Sequence, residues 1–272
     1  MDARKQSYVD GAEIGPELEA LRAQLAVHPG KIARLRWDEV GRSHAVWSRN
    51  TQELMALLQA GENQEDLIAE LVQNVRAPLI RNEFLAQLDQ RLHNMTASAV
   101  SLVDHTRKLL KHYPKTAFAS AFESRNTVIR DAPSSQFIRR FRNYLLHYGH
   151  APFELTASWS GSSALNGQIT LSRASLLEWA DWGASARTFI QDGSDGIRLS
   201  STVQEYAGGL AALYAWTFEQ FETLHGADTD GANDLVRRIN LTMTGGAHDG
   251  RNMESFYKKV EEKLRTYRRE QD

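Results

Sequence analysis

Between residues 82 and 113, apolar or small side chains recur at Phe84, Leu88, Leu92, Met95, Ala99, Leu102, Thr106, Leu109 and Tyr113. The steps are only fours and threes, which places all nine positions on one side of a helix. The spacing predicts a long amphipathic helix. A lone stripe of this kind more often faces a core than a partner helix. Before it, residues 17 to 27 read as a short helix ending at "HPG". Residues 31 to 60 carry Ile32, Leu35, Val40, Val46, Trp47, Leu54, Leu57 and Leu58, with Gly41 and Thr51 as candidate breaks and Gly61 as the end. Residues 64 to 76 continue in helical spacing up to Pro78.

Further on, residues 134 to 148 predict another helix. Ser134 or Ser135 is placed to cap it just after Pro133, and Gly149 and Pro152 end it. Phe137, Phe141, Leu145 and Tyr148 form its expected buried face, widened by Ile138. The pattern then changes. "FELTASWSGSSALNGQITLS" alternates and is rich in Thr, Ser and aromatics, which predicts strands at 153–160 and 167–172 joined at Asn166-Gly167. Helical spacing returns over 173–190. After the loop "DGSDG" it runs from 199 to 225, with Val203, Tyr206, Leu210, Leu213, Trp216 or Thr217, and Phe221 inward. Residues 231–242 and 251–270 predict two more helices around "TGGAHDG". The fold class expected is mainly α, a helical bundle with a small inserted β-hairpin.

Composition narrows this picture by exclusion. At 272 residues the chain can bury a sizeable core as one large domain or two smaller ones. With 42% hydrophobic and 24% charged residues it is a globular rather than a disordered sequence. A net charge of −2 gives no global attraction to nucleic acid or membrane, so any such binding has to come from a local patch. The absence of cysteine removes disulfides, thiolate metal sites and a Cys nucleophile, and fits a reducing cytoplasm, the expected location. The N-terminal stretch is polar, and "AGGLAALYAW" falls far short of the ~20 residues a spanning helix needs, so no membrane association is expected.

The candidate chemistry lies in "SSQFIRRFRNYLLHYGHAP", residues 134 to 152. Between Arg125 and His150 there are five arginines (125, 130, 139, 140, 142) and one acid, Asp131, in a chain that is negative overall. Basic clustering of this kind is the footprint of a polyanion. Metal-free RNA cleavage needs a proton-transfer group and a fixed cation on the phosphoryl oxygens. Histidine suits the first and arginine the second. Asn143 and His147 stand one turn apart on one helix face. Arg142 lies five residues before His147, rotated by roughly 140° on an ideal helix.

"RNYLLH" resembles the signature of HEPN domains: an Arg followed by a polar residue, then a His after a short spacer. Arg142, Asn143 and His147 occupy those places. The resemblance implies a helical bundle over residues 81–228, with the β-hairpin near 153–172 as an insertion; residues 1–80 and 229–272 have no counterpart in it and read as helical extensions. It also implies a metal-independent, cofactor-free endoribonuclease in which motif helices of two copies form one composite site. His147 would move protons, Arg142 would hold the scissile phosphate and Asn143 would position it. Arg139, Arg140 and His150 would bind the RNA backbone. The expected partners are RNA, a second copy of the chain and an antitoxin or defence protein. The alternative is a catalytically silent helical module that binds nucleotide, RNA or protein.

Blander meanings stand beside these. Arg142 could pair with an acid of a neighbouring helix, and His147 could serve the C-terminal dipole of its own helix. His147 and His150 have no carboxylate of the same segment to complete a metal site. Asp89, His93, Asp104 and His105 read as a solvated polar face, with Asp104 or His105 able to lean towards the motif helix. "DGSDG" reads as a turn rather than a calcium loop, and "TGGAHDG" lacks the strand and Lys of a phosphate loop. Trp179, Trp182 and Trp216 read as core anchors. The C-terminal "KKVEEKLRTYRRE" reads as a solvated amphipathic helix.

Overall fold

A computed structural model describes residues 15–72, 78–160, 164–193 and 196–243. Among these, nine helices and one small antiparallel sheet are formed. In chain order the elements are α1 (Pro16–Val27), α2 (Pro29–Asn63), α3 (Glu65–Val72), α4 (Pro78–Leu110), α5 (Ala117–Asp131), α6 (Pro133–His147), β1 (Phe153–Ser160), β2 (Ala164–Leu171), α7 (Arg173–Glu178), α8 (Ala184–Asp192), β3 (Ile197–Arg198) and α9 (Leu199–Met243). The fold is mainly α with a small β-hairpin. No helix among the described residues is long and apolar enough to cross a membrane.

By its contacts the chain divides into two units. Of the described residues, one comprises 15–36 and 221–243; the other comprises those between 37 and 220. In the first, Leu18 and Leu21 of α1 pack with Ile239 of α9, and Leu25 and Leu235 border them. Arg34 donates to the Asn233 side chain at 3.2 Å.

The larger unit is built on α4. Its stripe from Phe84 to Leu109 is buried throughout, at 6% exposure or less. Only Tyr113, beyond the helix end, is half-buried. The inward positions expected of the long C-terminal helix are buried too: Val203, Tyr206, Leu210, Leu213 and Thr217. Trp216 stays half-buried beneath the guanidinium of Arg125, 4.6 Å from the ring centroid.

Several expectations need correction. α2 runs unbroken through Gly41, Thr51 and Gly61. Gly61 is where Phe84 meets the helix backbone: a Cβ there would lie 2.6 Å from the phenyl ring. Asn166-Gly167 is not the hairpin turn. In the β1–β2 ladder Ser158 pairs with Asn166 and Ala157 with Gly167, and the connection falls at 161–163, outside the described residues. Leu165, Ile169 and Leu171 of β2 are buried on alternate positions, and Gly167 shares their face. A Cβ on Gly167 would collide with the Gly61 carbonyl, so the glycine is needed for close approach rather than for a turn. The helix read over 173–190 is two: α7 ends at Glu178, and α8 starts after Gly183, which adopts φ 72°. Residues 199–225 and 231–242 belong to the single helix α9. The middle of "DGSDG", "TGGAHDG", the helix read at 251–270 and the basic–acidic C-terminal segment lie outside the described residues.

Candidate functional site: an arginine-lined groove

α6 owes its position to its aromatic side. Phe137, Ile138, Phe141 and Tyr144 are buried, while Leu145 is half-buried and Tyr148 exposed. Tyr144 therefore takes the place expected for Leu145 and Tyr148. Phe137, Phe141 and Tyr144 stack on Trp182, with ring centroids 5.5, 6.3 and 5.5 Å away. Trp182 is fully buried just ahead of α8 and donates its indole N–H to the Leu176 carbonyl. Trp179 meets it edge-on at 4.9 Å and is half-buried. Of the three tryptophans read as anchors, Trp182 is the one wholly in the core.

This packing turns the polar side of α6 outward. Gln136, Arg139, Arg140, Arg142 and Asn143 line a groove of about 490 Å³ together with Val100 of α4 and Arg130 of α5. Four arginines thus share one concavity. Their charges are not equally engaged. Arg130 donates to Asp131 at 2.9 and 3.4 Å, and that hydrogen bond holds the Asp131 carboxyl below its ordinary range; the nearby Arg139 charge acts the same way. The fifth arginine of the cluster, Arg125, is occupied over Trp216. Arg107 on α4 is held by Glu123 at 3.2 and 3.3 Å. Arg139, Arg140 and Arg142 have no ion pair with any described residue. Nε of Arg142 is buried with no hydrogen-bond partner. Arg140 lies beside Gly183, its guanidinium 3.4 Å from where a Cβ of that residue would stand.

The groove therefore gathers Arg139, Arg140, Arg142 and Asn143. Arg142 and Asn143 both reach it, while the roughly 140° rotation between Arg142 and His147 is not closed within the chain. His147 does not line it. His147 is the exposed last residue of α6, one turn beyond Asn143 on the same helix face. His150 does not line it either. Its Nδ1 meets Asp89 Oδ2 at 2.9 Å, and the same carboxylate accepts the Ala151 N–H at 3.1 Å, so Asp89 clamps the segment after α6 to α4. His105 approaches the Ser43 hydroxyl of α2 rather than α6. Asp104, by contrast, lines a smaller notch beside the groove. No group of three or more His, Asp or Glu among the described residues is placed to hold a metal ion.

The notch has a volume of about 90 Å³ and shares Val100, Arg130 and Arg139 with the groove. Tyr206 lines it, and burial pushes the phenol up to about 12 while Arg139 pulls the other way. Asn126 of α5 lines it too. Both α5 and the notch escaped the sequence reading. The signal was there: Phe118, Phe122, Asn126 and Ile129 step by four, four and three, with an amide where an apolar residue belongs. Fold and site together define a mainly helical protein with a cationic groove lined by α4, α5 and, mostly, α6. Compared with protein-family models, curated proteins and solved structures, the chain matches none.

Proposed function

We propose that the protein is a metal-independent endoribonuclease of the HEPN kind, in which the arginine groove grips the RNA backbone and two copies complete the catalytic site. The supporting observation is the groove itself: three guanidiniums without acidic partners converge with Asn143 on one concavity. Arg139 and Arg140 are exposed to an incoming anion, and the half-buried Arg142 has its Nε without a partner. Arg side chains suit the planar, bidentate grip of a phosphate. In this reading Arg142 holds the scissile phosphate, Asn143 orients it, and Arg139 and Arg140 draw in the flanking backbone. His147 of the second copy takes the 2′-hydroxyl proton as that oxygen attacks phosphorus. The P–O5′ bond breaks and the 5′-oxygen takes a proton from water, which the His147 imidazolium replaces, giving a 2′,3′-cyclic phosphate and a 5′-hydroxyl. A toxin–antitoxin or phage-defence setting, with a restraining partner protein, belongs to the same proposal.

A second reading, RNA binding without cleavage, is favoured by one observation: His147 does not line the groove of its own chain. One experiment separates the two. Purified protein is incubated with total RNA in EDTA beside His147→Ala and Arg142→Ala. Cleavage in the wild type alone supports the nuclease. RNA binding by wild type and His147→Ala with no cleavage supports the silent binder. Cleavage that disappears on chelation, or persists in His147→Ala, contradicts the mechanism.

A further inference from the structure

We infer that the notch beside the arginine groove is a seat for one nucleobase of the bound RNA. The inference rests on the groove being a phosphate site and adds what lies next to the phosphate. Notch and groove are continuous, since Val100, Arg130 and Arg139 line both. At about 90 Å³ the notch has room for roughly six waters, enough for one heteroaromatic ring. Its walls are apolar at Val103, Ile129 and Leu210.

Asn126 gives the chemistry. It is 6% exposed, sits on the apolar stripe of α5, lines the notch, and makes no hydrogen bond to any described residue. The residue is nearly enclosed, but its amide is not sealed off: its unpaired donor and acceptor open on the notch, where a ligand can meet them. An amide offers a donor and an acceptor side by side, which matches the edge of a base and not an apolar ligand. A free phosphate would use only the donor and would leave the apolar walls uncovered. A base in the notch also keeps its own phosphate at Arg139, the residue common to both cavities. Recognition of this kind needs an unstacked base, so the ligand class is single-stranded RNA.

The test uses the four ribonucleoside 5′-monophosphates beside inorganic phosphate, titrated by NMR or calorimetry against the full chain, Asn126→Leu and Arg139→Gln. At least one nucleotide binds about tenfold more tightly than phosphate, and Asn126→Leu removes that advantage while leaving phosphate binding unchanged. Arg139→Gln weakens both. The melting temperature of Asn126→Leu equals or exceeds that of the wild type, which separates lost recognition from lost folding. Asn126→Ala carries the same test should the leucine variant unfold. If phosphate binds and no nucleotide surpasses it, or if Asn126→Leu binds all four as the wild type does, the notch assignment is overturned and the groove stands. If neither phosphate nor any nucleotide binds, both fall.

Discussion

At the scale of single residues, the protein separates arginines already engaged by a neighbouring side chain from arginines available to a ligand. Arg107 and Arg130 are bonded to Glu123 and Asp131, and Arg125 covers Trp216. Arg139, Arg140 and Arg142 line the groove without an ion pair to any described residue. Replacing Arg139 or Arg142 by Ala is expected to leave the melting temperature nearly unchanged while weakening RNA binding; equilibrium binding beside thermal unfolding checks this. Asn126→Leu should move the other way in stability, with a small gain from an apolar side chain on the apolar stripe of α5. Chemical denaturation measures that gain. His44 gives a pH-dependent expectation. Its ring stacks on Tyr214 at 3.6 Å, and burial lowers its pKa below the ordinary value, so the folded state favours the neutral imidazole. Its stabilising contribution is then complete above the unfolded value near ~6.5 and falls as the pH drops from there through the lowered folded value. His44→Phe should flatten the loss of stability below that pH in denaturant titrations.

Among the elements, α6 carries the account because its two sides do different work. Phe137, Phe141 and Tyr144 fix it on Trp182, and the opposite register presents the arginines. Trp182→Ala should cost about 3–5 kcal/mol, since it removes the plane on which three rings lie. Gly183→Ala should cost about 1–3 kcal/mol, since φ 72° with ψ 161° is a region open essentially to glycine alone. Equilibrium unfolding distinguishes these two magnitudes. The same elements show what the sequence could disclose. The stripe of α4 and the inward positions of α9 were legible because unbroken 3.6-residue spacing follows directly from burying one side of a helix. The split at Gly183 and the role of Gly167 were not, because both depend on which neighbour comes close: Arg140 in one case, the Gly61 carbonyl in the other. The arginine cluster was visible as composition. Which arginines were already neutralised was not, since Glu123 and the Trp216 ring come from other turns and other helices.

For the whole molecule, the net charge of −2 sets a mildly repulsive background for RNA, so affinity must come from the groove and should fall steeply with salt. The nuclease proposal adds a requirement of symmetry, because each chain's His147 lies outside its own groove. Co-expression of Arg142→Ala with His147→Ala should restore cleavage that neither variant shows alone, as one of the two composite sites in a mixed pair is then intact. The most direct measurement is the affinity of the full chain for a single-stranded oligoribonucleotide over a series of salt concentrations, compared with the variant Arg139→Gln/Arg140→Gln/Arg142→Gln. Each lost phosphate contact lowers the slope of log affinity against log salt by about 0.7, so the triple variant should bind more weakly with a slope shallower by about 2. Equal affinity and an equal slope in the two proteins would contradict the account.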